Sequence, residues 1–361
     1  MSARQAPSGE APRVAIVGSG AWGTTLALIV ARNEPVTLLS HSAETAARLE
    51  ASRRNERRLP GVELPPSIRV SADPAVLGTA TDLVVLAAPS AYLRSTVEHA
   101  APSIPASADV LSVVKGLEHA TLLRMTEVIA DASAAVGAPI APARIAALSG
   151  PNLAQEIARG LPASAVIAST DPALGERIVA RLSRREFRLY TNPDVLGVEL
   201  CGALKNIIAI AAGAADGLGF GDNGKAGLMT RGLAEMTRLG IAAGANPLTF
   251  AGLAGIGDVI ATCGSKLSRN HRLGEELAKG QAWRDIEASL PGVAEGAYTV
   301  DAALALAARY GVEMPIAQEV HNALFEGKSV QRCLVDLLSR ESKDELADFE
   351  RWADRLRDRP D

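Results

Sequence analysis

The segment RVAIVGSGAWGTTLALIVARN, residues 13–33, decides the fold. It opens with an apolar, β-branched run typical of a buried strand, and residues 22–33 have the apolar spacing of a helix. The glycine pattern GxGxxG stands between them. A glycine-rich turn without a ligand is the simpler interpretation. Strand, pattern and helix in direct succession instead predict a nucleotide-binding turn, in which Gly18 makes the tight turn, Gly20 admits a pyrophosphate and Gly23 allows close helix–strand packing.

Beyond this segment, short apolar runs and helical patterns alternate up to about residue 192. Strands that are apolar throughout, with helices between them, indicate a parallel sheet that is covered on both faces. The further predicted strands are 35–40, 82–89, 108–114, 144–150, 164–169 and 187–192. The longest helical patterns after residue 193 are 199–218, 227–244 and 297–311. The predicted fold class is α/β followed by all-α, that is, a doubly wound Rossmann domain and then a helical domain.

The change of pattern also predicts the domain boundaries. At 361 residues the chain is long enough for two domains. The predicted parts are a disordered Ser/Pro/Ala-rich tail at 1–12, a dinucleotide-binding domain at 13–192, a helical substrate and catalytic domain at 193–340, and a charged helix at 341–361. Because the last segment mixes both signs of charge, we interpret it as a solvated surface helix.

Composition excludes several classes of protein. The chain has 41 acidic and 37 basic side chains and 3% aromatic residues, so we expect no nucleic-acid partner. Its three cysteines and five histidines lack metal-ligand or disulfide spacing, and we expect no metal. The first residues lack an apolar signal-peptide core, and no stretch reaches the ~18–20 uncharged apolar residues of a membrane helix. We therefore expect a cytoplasmic protein without stable membrane insertion.

The end of the second predicted strand bears on the choice of cofactor. An acid at that position would bind the ribose 2′-hydroxyl of NAD. Here Ser40, His41 and Ser42 follow the strand, and the first acid is Glu44. Nothing there repels a 2′-phosphate, and Ser40, His41 and Ser42 could hydrogen-bond one. NADPH/NADP, alone or together with NADH/NAD, is therefore favoured over strict use of NAD. A surface histidine at a strand end is an equally good interpretation of His41.

Lysines are few, and two of them occupy informative positions. None of the seven lysines precedes Lys115, which follows the strand 108–114 at the ligand-facing edge of the predicted sheet. The sequence SGPN at 149–152 ends the next strand in the same way. Lys205 lies inside an apolar helix, where a lysine is costly to bury without a partner or a function. A lysine that extends along the helix edge to reach solvent is the alternative.

These segments resemble the bacterial NAD(P)-dependent glycerol-3-phosphate dehydrogenase family, from about residue 13 to about residue 340. The matching segments are GSGAWGTTLA (18–27), VVKGLE (113–118), LSGPNLAQEIARGLP (148–162), GVELCGALKNIIAIAAGAADGLGFGDN (197–223), TRGLAEMTRLG (230–240), TFAGLAGIGDVIATC (249–263), SRNHRLG (268–274) and GVEMPI (311–316). The resemblance implies a Rossmann domain, then a helical domain like that of 6-phosphogluconate dehydrogenase. It also implies reduction of dihydroxyacetone phosphate to sn-glycerol 3-phosphate, the backbone for phospholipid synthesis.

The resemblance further implies roles for individual residues. Lys205 matches the family's proton donor and acceptor, and Arg269 matches a residue that binds phosphate. The implied substrate contacts are Lys115, Gly150, Asn152, Lys205, Asp258, Ser268, Arg269 and Asn270. The implied cofactor contacts are Gly18, Gly20, Ala21, Trp22, Gly23, His41, Lys115, Ala154, Arg269, Val293 and Glu295. Asn152, often Thr in the family, and Ala21, often Ser, depart from the family pattern.

The chemistry of these residue types is consistent with the implied reaction. Reduction of a ketone builds negative charge on its oxygen, which an ammonium group can stabilise and protonate. The planar fork of an arginine suits a phosphate. For the SRN segment, a helix cap at Ser268 with a solvent-exposed Arg269 is the simpler alternative. The competing functions are another dehydrogenase of the 6-phosphogluconate or β-hydroxyacid type and a non-catalytic dinucleotide sensor. For the assembled state we expect a homodimer.

Overall fold

An eight-stranded sheet forms the first half of the chain, in a computed structural model that describes residues 13–78, 81–290, 292–341 and 344. Its strands are β1 (Val14–Val17), β2 (Val36–Leu39), β3 (Ile68–Ser71), β4 (Leu83–Leu86), β5 (Asp109–Ser112), β6 (Ile145–Ser149), β7 (Ala163–Ala168) and β8 (Phe187–Asn192). They lie in the order β3-β2-β1-β4-β5-β6-β7-β8. The chain order reverses direction between β1 and β4, which is where the crevice of a doubly wound sheet opens. The predicted tail 1–12 and nearly all of the predicted helix 341–361 lie outside the described residues.

Six helices cover the two faces of this sheet. They are α1 (Ala21–Ala31), α2 (Ala43–Ser52), α3 (Leu93–Ala100), α4 (Met125–Ala135), α5 (Ala154–Ala158) and α6 (Pro172–Leu182). Alternate residues of β1 enter different apolar cores: Ile16 packs in the core that contains Leu26, and Ala15 packs in the core that contains Val97. Both faces are therefore buried, as the uninterrupted apolar strands predicted.

The direction of the last two strands corrects the prediction of a parallel sheet. Strands β1 to β6 are parallel, but β7 runs antiparallel to β6, and β8 is parallel to β7. A parallel return needs a crossover long enough to span the sheet. The only helix between β6 and β7 is the five-residue α5, which is too short for this return, whereas the eleven-residue α6 returns the chain between β7 and β8.

Two elements between β2 and β4 also differ from the sequence-based expectation. Strand β3 was not predicted, because only Ile68 in it is fully buried and its pattern is polar at the edge of the sheet. The helical sequence pattern extends over residues 43–56, but helix α2 ends at Ser52. Arg53 adopts a left-handed φ of 51°, which ends the helix, and its guanidinium donates to the carbonyl oxygens of Pro65 and Ile68.

The second half of the chain is helical, and past Asn192 no strand occurs in the described residues. Its helices are α7 (Val195–Gly217), α8 (Gly221–Ala243), α9 (Pro247–Phe250), α10 (Asp258–Gly264), α11 (Arg269–Ala278), α12 (Trp283–Ser289), α13 (Glu295–Tyr310), α14 (Pro315–Phe325) and α15 (Val330–Leu338). A π-helical turn at Leu253–Gly257 leads directly into α10. Helix α7 is central, since it contacts α8, α10, α11 and α13 and also strand β6 of the sheet. The predicted fold class is confirmed.

The start of α7 is anchored strongly, which places its later residues. Asp194 accepts hydrogen bonds from the N–H of Gly197 (2.9 Å), the N–H of Asn246 (3.0 Å) and the hydroxyl of Thr249 (2.7 Å). One carboxylate thus caps α7 and ties it to α9. The anchored helix then carries Lys205 to the edge of the sheet.

Two helical stretches are long and apolar enough to cross a membrane by length and composition alone, although both contain charged residues. They are Val195–Gly217 and Pro247–Gly264, of whose most apolar windows 83% and 44% are buried inside the protein. The first is the central core helix α7. A buried core helix meets the same criteria, so this finding is weak support for a membrane span.

Candidate active site

The glycine-rich turn between β1 and α1 has the shape that a dinucleotide needs. Gly18 has a φ of +120°, and a Cβ on it would lie 2.7 Å from the carbonyl oxygen of Ala87. A Cβ on Gly23 would lie 1.9 Å from the oxygen of Gly18, so neither position tolerates a side chain. Gly20 faces open space. No side chain caps α1 at Ala21, so its first N–H groups are free to bind a phosphate.

Two further predicted cofactor residues lie beside this turn. The indole ring of Trp22 stands edge-on to Phe187 with ring centroids 6.0 Å apart, and its buried N–H has no partner among the described residues. The hydroxyl of Thr25 donates to the carbonyl oxygens of Ala21 (2.9 Å) and Ala154 (3.1 Å). This shared donor brings Ala154, at the start of α5, against α1. The residues present therefore fit a bound dinucleotide.

Of the three residues at the end of β2 that could contact a 2′-phosphate, the structure leaves some more available than others. The hydroxyl of Ser19 donates to Ser40 (3.0 Å), and His41 is exposed. Ser42 caps α2 by accepting from the N–H of Thr45 (3.2 Å), so its hydroxyl already serves the helix. Ser42 is therefore a weaker candidate for a 2′-phosphate contact than the sequence suggested, and His41 remains the accessible one.

Two lysines share one buried aspartate at the carboxyl edge of the sheet. The ammonium of Lys115, just past β5, lies 2.6 Å from Oδ2 of Asp258 and donates to the carbonyl oxygen of Gly150 (3.0 Å). The ammonium of Lys205, on α7, lies 3.0 Å from Oδ1 of Asp258 and 2.5 Å from the hydroxyl of Thr262. Each ammonium has three N–H donors, of which these contacts use two. The structure thus joins four predicted residues in one cluster.

The cluster carries one excess positive charge in a buried setting. Lys205 is 6% exposed and Asp258 1% exposed, so Lys205 does not extend to solvent. Burial lowers the pKa of Lys205 to about 8; attraction to Asp258 opposes this shift, and repulsion from Lys115 reinforces it. Burial alone would raise the pKa of Asp258, but the two lysines outweigh it and leave that pKa below its ordinary value.

Unpartnered polar atoms border this cluster. Both side-chain polar atoms of Asn152 are buried without a hydrogen-bond partner among the described residues, and so is the hydroxyl of Ser149. They flank Gly150, whose carbonyl oxygen holds Lys115. An orphaned buried polar atom costs about 1–3 kcal/mol. A polar ligand at this place would remove that cost, so the geometry is suited to binding one.

The SRN segment divides into two structural residues and one accessible cation. Ser268 caps α11 by accepting from the N–H of His271 (3.2 Å), as the helix-cap alternative expects. Asn270 donates to Oδ1 of Asn206 (2.9 Å) and accepts from the N–H of Gly296 (3.0 Å), so it joins three helices. Arg269 is accessible to solvent, which that alternative also expects. Nevertheless it lies among protein atoms in a cleft, and this burial lowers its pKa.

The start of α13 is tied to the sheet by Glu295. Its carboxylate accepts from the N–H of Ser90 (3.3 Å) and from the Ser90 hydroxyl, just after β4. Burial raises the pKa of Glu295, while the Ser90 hydrogen bonds and Arg269 oppose the shift. Val293, partly buried, precedes this contact. Glu295 therefore lies at the β4 edge of the crevice, with Val293 two residues before it in the chain.

Thr262 and Asn206 are contacts that the sequence reasoning left without a role. Thr262 stands four residues after Asp258 on α10, so helical spacing placed both on one face and could have revealed it. The role of Asn206 depends on α11 and α13, which no local pattern reveals. A separate cavity of about 1040 Å³ around the C-terminal part of α7, α8, α14 and α15 touches none of the predicted site residues. No group of three or more potential metal ligands occurs within the described ranges.

The fold and the site define a dinucleotide-dependent oxidoreductase. The family model for the N-terminus of NAD-dependent glycerol-3-phosphate dehydrogenase matches residues 13–175, and the model for its C-terminus matches residues 194–335. The chain belongs to this family of NAD(P)-dependent enzymes, and the family resemblance inferred from the sequence is confirmed.

Individual relatives agree over nearly the whole chain. Glycerol-3-phosphate dehydrogenase (NAD(P)+) of Streptomyces avermitilis is 45% identical over 334 residues, covering 92% of this chain and 98% of the relative. The Acidobacterium capsulatum protein of the same name is 46% identical, covering 92% and 99%. The crystal structure of glycerol-3-phosphate dehydrogenase from Coxiella burnetii superposes with a TM-score of 0.85 at 36% identity, covering 91% and 98%. The roles of single residues stay predictions.

Proposed function

We propose that this chain reduces dihydroxyacetone phosphate to sn-glycerol 3-phosphate with NADPH or NADH, in the crevice around Asp258. The observation that carries this proposal is the pairing of two ammonium groups, Lys115 and Lys205, with one buried carboxylate. The excess positive charge lies where a ketone oxygen would become negative, and a preorganised charge in a low-dielectric site stabilises that oxygen strongly. The buried, unpartnered amide of Asn152 comes two residues after Gly150, whose carbonyl oxygen accepts from Lys115.

Lys205 is the proposed proton donor. When bound, the reduced nicotinamide supplies the hydride. The carbonyl carbon becomes a CH group, and the oxygen takes the proton that the Lys205 ammonium gives up. Asp258 and Thr262 hold the lysine in position in both protonation states, because each can remain hydrogen-bonded to the neutral amine. A pKa near 8 keeps most of the lysine protonated at neutral pH while leaving the proton easy to transfer.

Arg269 is the proposed phosphate ligand. Its guanidinium is accessible to solvent and, within the described residues, donates no side-chain hydrogen bond. Ser268 and Asn270 are committed to α11 and its neighbours, so we propose that they position Arg269 and supply only secondary contacts. A phosphorylated ketone of three carbons would then extend from Lys205 toward Arg269. This arrangement favours a phosphorylated ketone over an unphosphorylated hydroxy acid.

The cofactor preference follows from the end of β2. No acid stands among residues 40–43, and Glu44 points into solvent at the start of α2 with a side chain that is 90% exposed. We expect NADPH to be used at least as well as NADH. Initial rates with each cofactor at saturating ketone give the two kcat/KM values. A preference for NADH of about tenfold, or 1.4 kcal/mol, would contradict this expectation.

Oxidation of NADPH or NADH in the presence of different substrates tests the function itself. Dihydroxyacetone phosphate is compared with unphosphorylated dihydroxyacetone as the matched control. In the reverse direction, with NADP+ or NAD+, sn-glycerol 3-phosphate is compared with 6-phosphogluconate and β-hydroxy acids. We expect turnover with dihydroxyacetone phosphate and sn-glycerol 3-phosphate, and at most weak turnover with the other compounds. Preferred oxidation of the acids would support the other dehydrogenase classes, and cofactor binding without any turnover would support a sensor.

Three broader proposals concern the biological role, the assembly and the domain division of the chain. The product would supply the glycerol phosphate backbone for phospholipid synthesis, in the cytoplasm. We propose a homodimer, which sedimentation of the purified chain tests. We also propose the division into 13–192 and 193–340, because the sheet ends at Asn192 and α7 begins at Val195.

A further inference from the structure

Two arginines from opposite halves of the chain meet at Gly292. A Cβ on Gly292 would lie 2.5 Å from Nη1 of Arg269 and 3.0 Å from Nη1 of Arg58. Arg269 begins α11, whereas Arg58 belongs to the connection between α2 and β3. Among the described residues, neither guanidinium donates a hydrogen bond or forms an ion pair. Two adjacent planar cations with free donors are the arrangement that proteins use for a phosphate.

The charges of this pair are poorly compensated by the protein. Burial lowers the pKa of Arg58, and the neighbouring Arg57 adds to the shift. Burial also lowers the pKa of Arg269; Glu295 opposes this shift and Arg58 reinforces it. The carboxylate of Glu295, however, is hydrogen-bonded to Ser90. An anion between the two guanidinium groups would relieve their repulsion.

The backbone of Arg58 is attached to the glycine-rich turn. The carbonyl oxygen of Asn55 accepts from the N–H groups of Arg58 (3.0 Å) and Leu59 (2.7 Å). The buried side-chain amide of Asn55 donates to the carbonyl oxygen of Ser19 (2.9 Å) and to the hydroxyl of Thr24 (2.8 Å). Ser19 is the second residue of the turn that faces the pyrophosphate. Arg58 is therefore held on the cofactor side of the crevice.

The location of the arginine pair relative to the strands indicates which phosphate group it would bind. The lysine cluster lies at β5 and β6, and β5 is two strands, about 10 Å, away from β1. A 2′-phosphate would lie at the end of β2. The arginine pair is instead linked through Glu295 to Ser90, just past β4, and through Asn55 to the turn after β1. Strands β1 and β4 are neighbours, and the crevice between them receives the pyrophosphate.

We propose that Arg58 and Arg269 form a two-arginine site for the pyrophosphate of the dinucleotide, with one arginine from each half of the chain. Arg269 faces the substrate phosphate as well, whereas Arg58 serves the cofactor alone. A pyrophosphate bound by both arginines would thus connect α11 to the α2–β3 connection. This inference rests on the dinucleotide dependence proposed above, but it does not depend on which ketone is reduced.

Titration of the full-length protein with NADPH and with NADH, without substrate, tests the proposal by cofactor fluorescence. The variants are Arg58→Gln, which removes the charge, and Arg58→Lys, which keeps the charge but loses the planar guanidinium with its paired N–H donors. The matched control is Arg57→Gln, an exposed arginine one residue away. We expect Arg58→Gln to raise both Kd values about tenfold or more, Arg58→Lys to fall between it and wild type, and Arg57→Gln to change them less than about twofold.

Other outcomes would overturn the proposal. An effect of Arg58→Gln no larger than that of Arg57→Gln would mean that Arg58 is not a ligand. An effect on NADPH alone would assign Arg58 to the 2′-phosphate, and unchanged Kd values with a raised KM for dihydroxyacetone phosphate would assign it to the substrate. A lower melting temperature of the cofactor-free Arg58→Gln protein with unchanged Kd values would assign it to structure. Failure of wild type to reduce the ketone, with cofactor binding intact, would contradict the proposed function only.

Discussion

Helix α7 carries two buried ionic clusters that differ in how completely the protein balances their charges and pairs their hydrogen-bonding groups. Near its start, Glu199 accepts from the N–H of Thr126 (2.8 Å), the hydroxyl of Thr126 (2.6 Å) and the guanidinium of Arg124 (2.6 Å). Six residues later, Lys205 shares Asp258 with Lys115. The two clusters are similarly buried, with Glu199 7% and Lys205 6% exposed.

The difference lies in the remaining charge and in the remaining donors. Around Glu199 the bonds join α7 to the start of α4, and both carboxylate oxygens are occupied. Around Lys205, two ammonium groups share one carboxylate, and each ammonium retains one unused N–H donor. The side chain of Asn152 has no hydrogen-bond partner among the described residues. Burial without full satisfaction is costly and is tolerated where a ligand completes the site. The comparison therefore favours a structural role for the first cluster and supports the proposed catalytic role of the second.

The largest effect is expected for Lys205→Met, which keeps most of the side-chain volume and removes the charge and the proton. We expect the variant to fold, to bind NADPH and to lose at least about 100-fold in kcat, because a positioned general acid contributes about 10²–10⁴. Steady-state kinetics with dihydroxyacetone phosphate, and circular dichroism for folding, measure the two parts.

Lys225→Met is the matched control for this variant. Lys225 also pairs with an aspartate, Asp216 at 3.0 Å, but it lies on α8 away from the lysine cluster. We expect it to keep kcat within about twofold of wild type, since it touches neither the reacting atoms nor the cofactor turn. A folded Lys205→Met protein with normal kcat would move proton transfer to Lys115, and loss of folding would make Lys205 a structural lysine.

The second effect concerns stability rather than rate. Glu199→Ala leaves the buried N–H of Thr126 and one contact of Arg124 unsatisfied, so we expect a loss of about 3 kcal/mol in the free energy of unfolding. Urea unfolding measures it. Glu127→Ala removes the other, more exposed partner of Arg124 together with the hydrogen bond from the Arg124 N–H that caps α4, and should cost about 1 kcal/mol, clearly less than Glu199→Ala. A fall in kcat per folded molecule of Glu199→Ala, with little change in unfolding, would erase the distinction between the clusters.

The third effect separates binding from proton transfer. Arg269→Ala should raise KM for dihydroxyacetone phosphate by about 30-fold, or 2 kcal/mol, the low end for a desolvated charge pair, because the arginine is partly accessible. NADPH binding should weaken but remain measurable by fluorescence titration. If KM changes less than about threefold, Arg269 is not the phosphate ligand, and the SRN segment is a helix cap only.

The sequence predicted the parts of this molecule that depend on local pattern or on short motifs. The short apolar runs, which alternate with helical patterns, predicted seven strands, and the later helical patterns predicted the helical half of the chain. The segments that resemble the family predicted that Lys115, Lys205 and Asp258 belong to one site. It missed β3, whose edge position leaves it half polar, and the reversal of β7, which depends on the length of α5. Contacts between distant segments, such as the meeting of Arg58 with Arg269, have no local pattern and required the structure.

The smallest expected effect is on pH dependence, and it distinguishes the two clusters by titration. Lys205 must be protonated to reduce the ketone, and burial lowers its pKa to about 8. The kcat for reduction should therefore be level below that pH and fall about tenfold per pH unit above it. The kcat for oxidation of glycerol 3-phosphate, which needs the neutral amine, should rise about tenfold per pH unit up to that pH and be level above it. Glu199→Gln should leave this limb in place, because Glu199 does not touch Lys205. Lys205→Met should abolish the limb in whatever activity remains. If kcat for reduction falls above the same pH in Lys205→Met, another group donates the proton. The unused hydrogen-bond donors of the lysine cluster would then serve substrate binding alone.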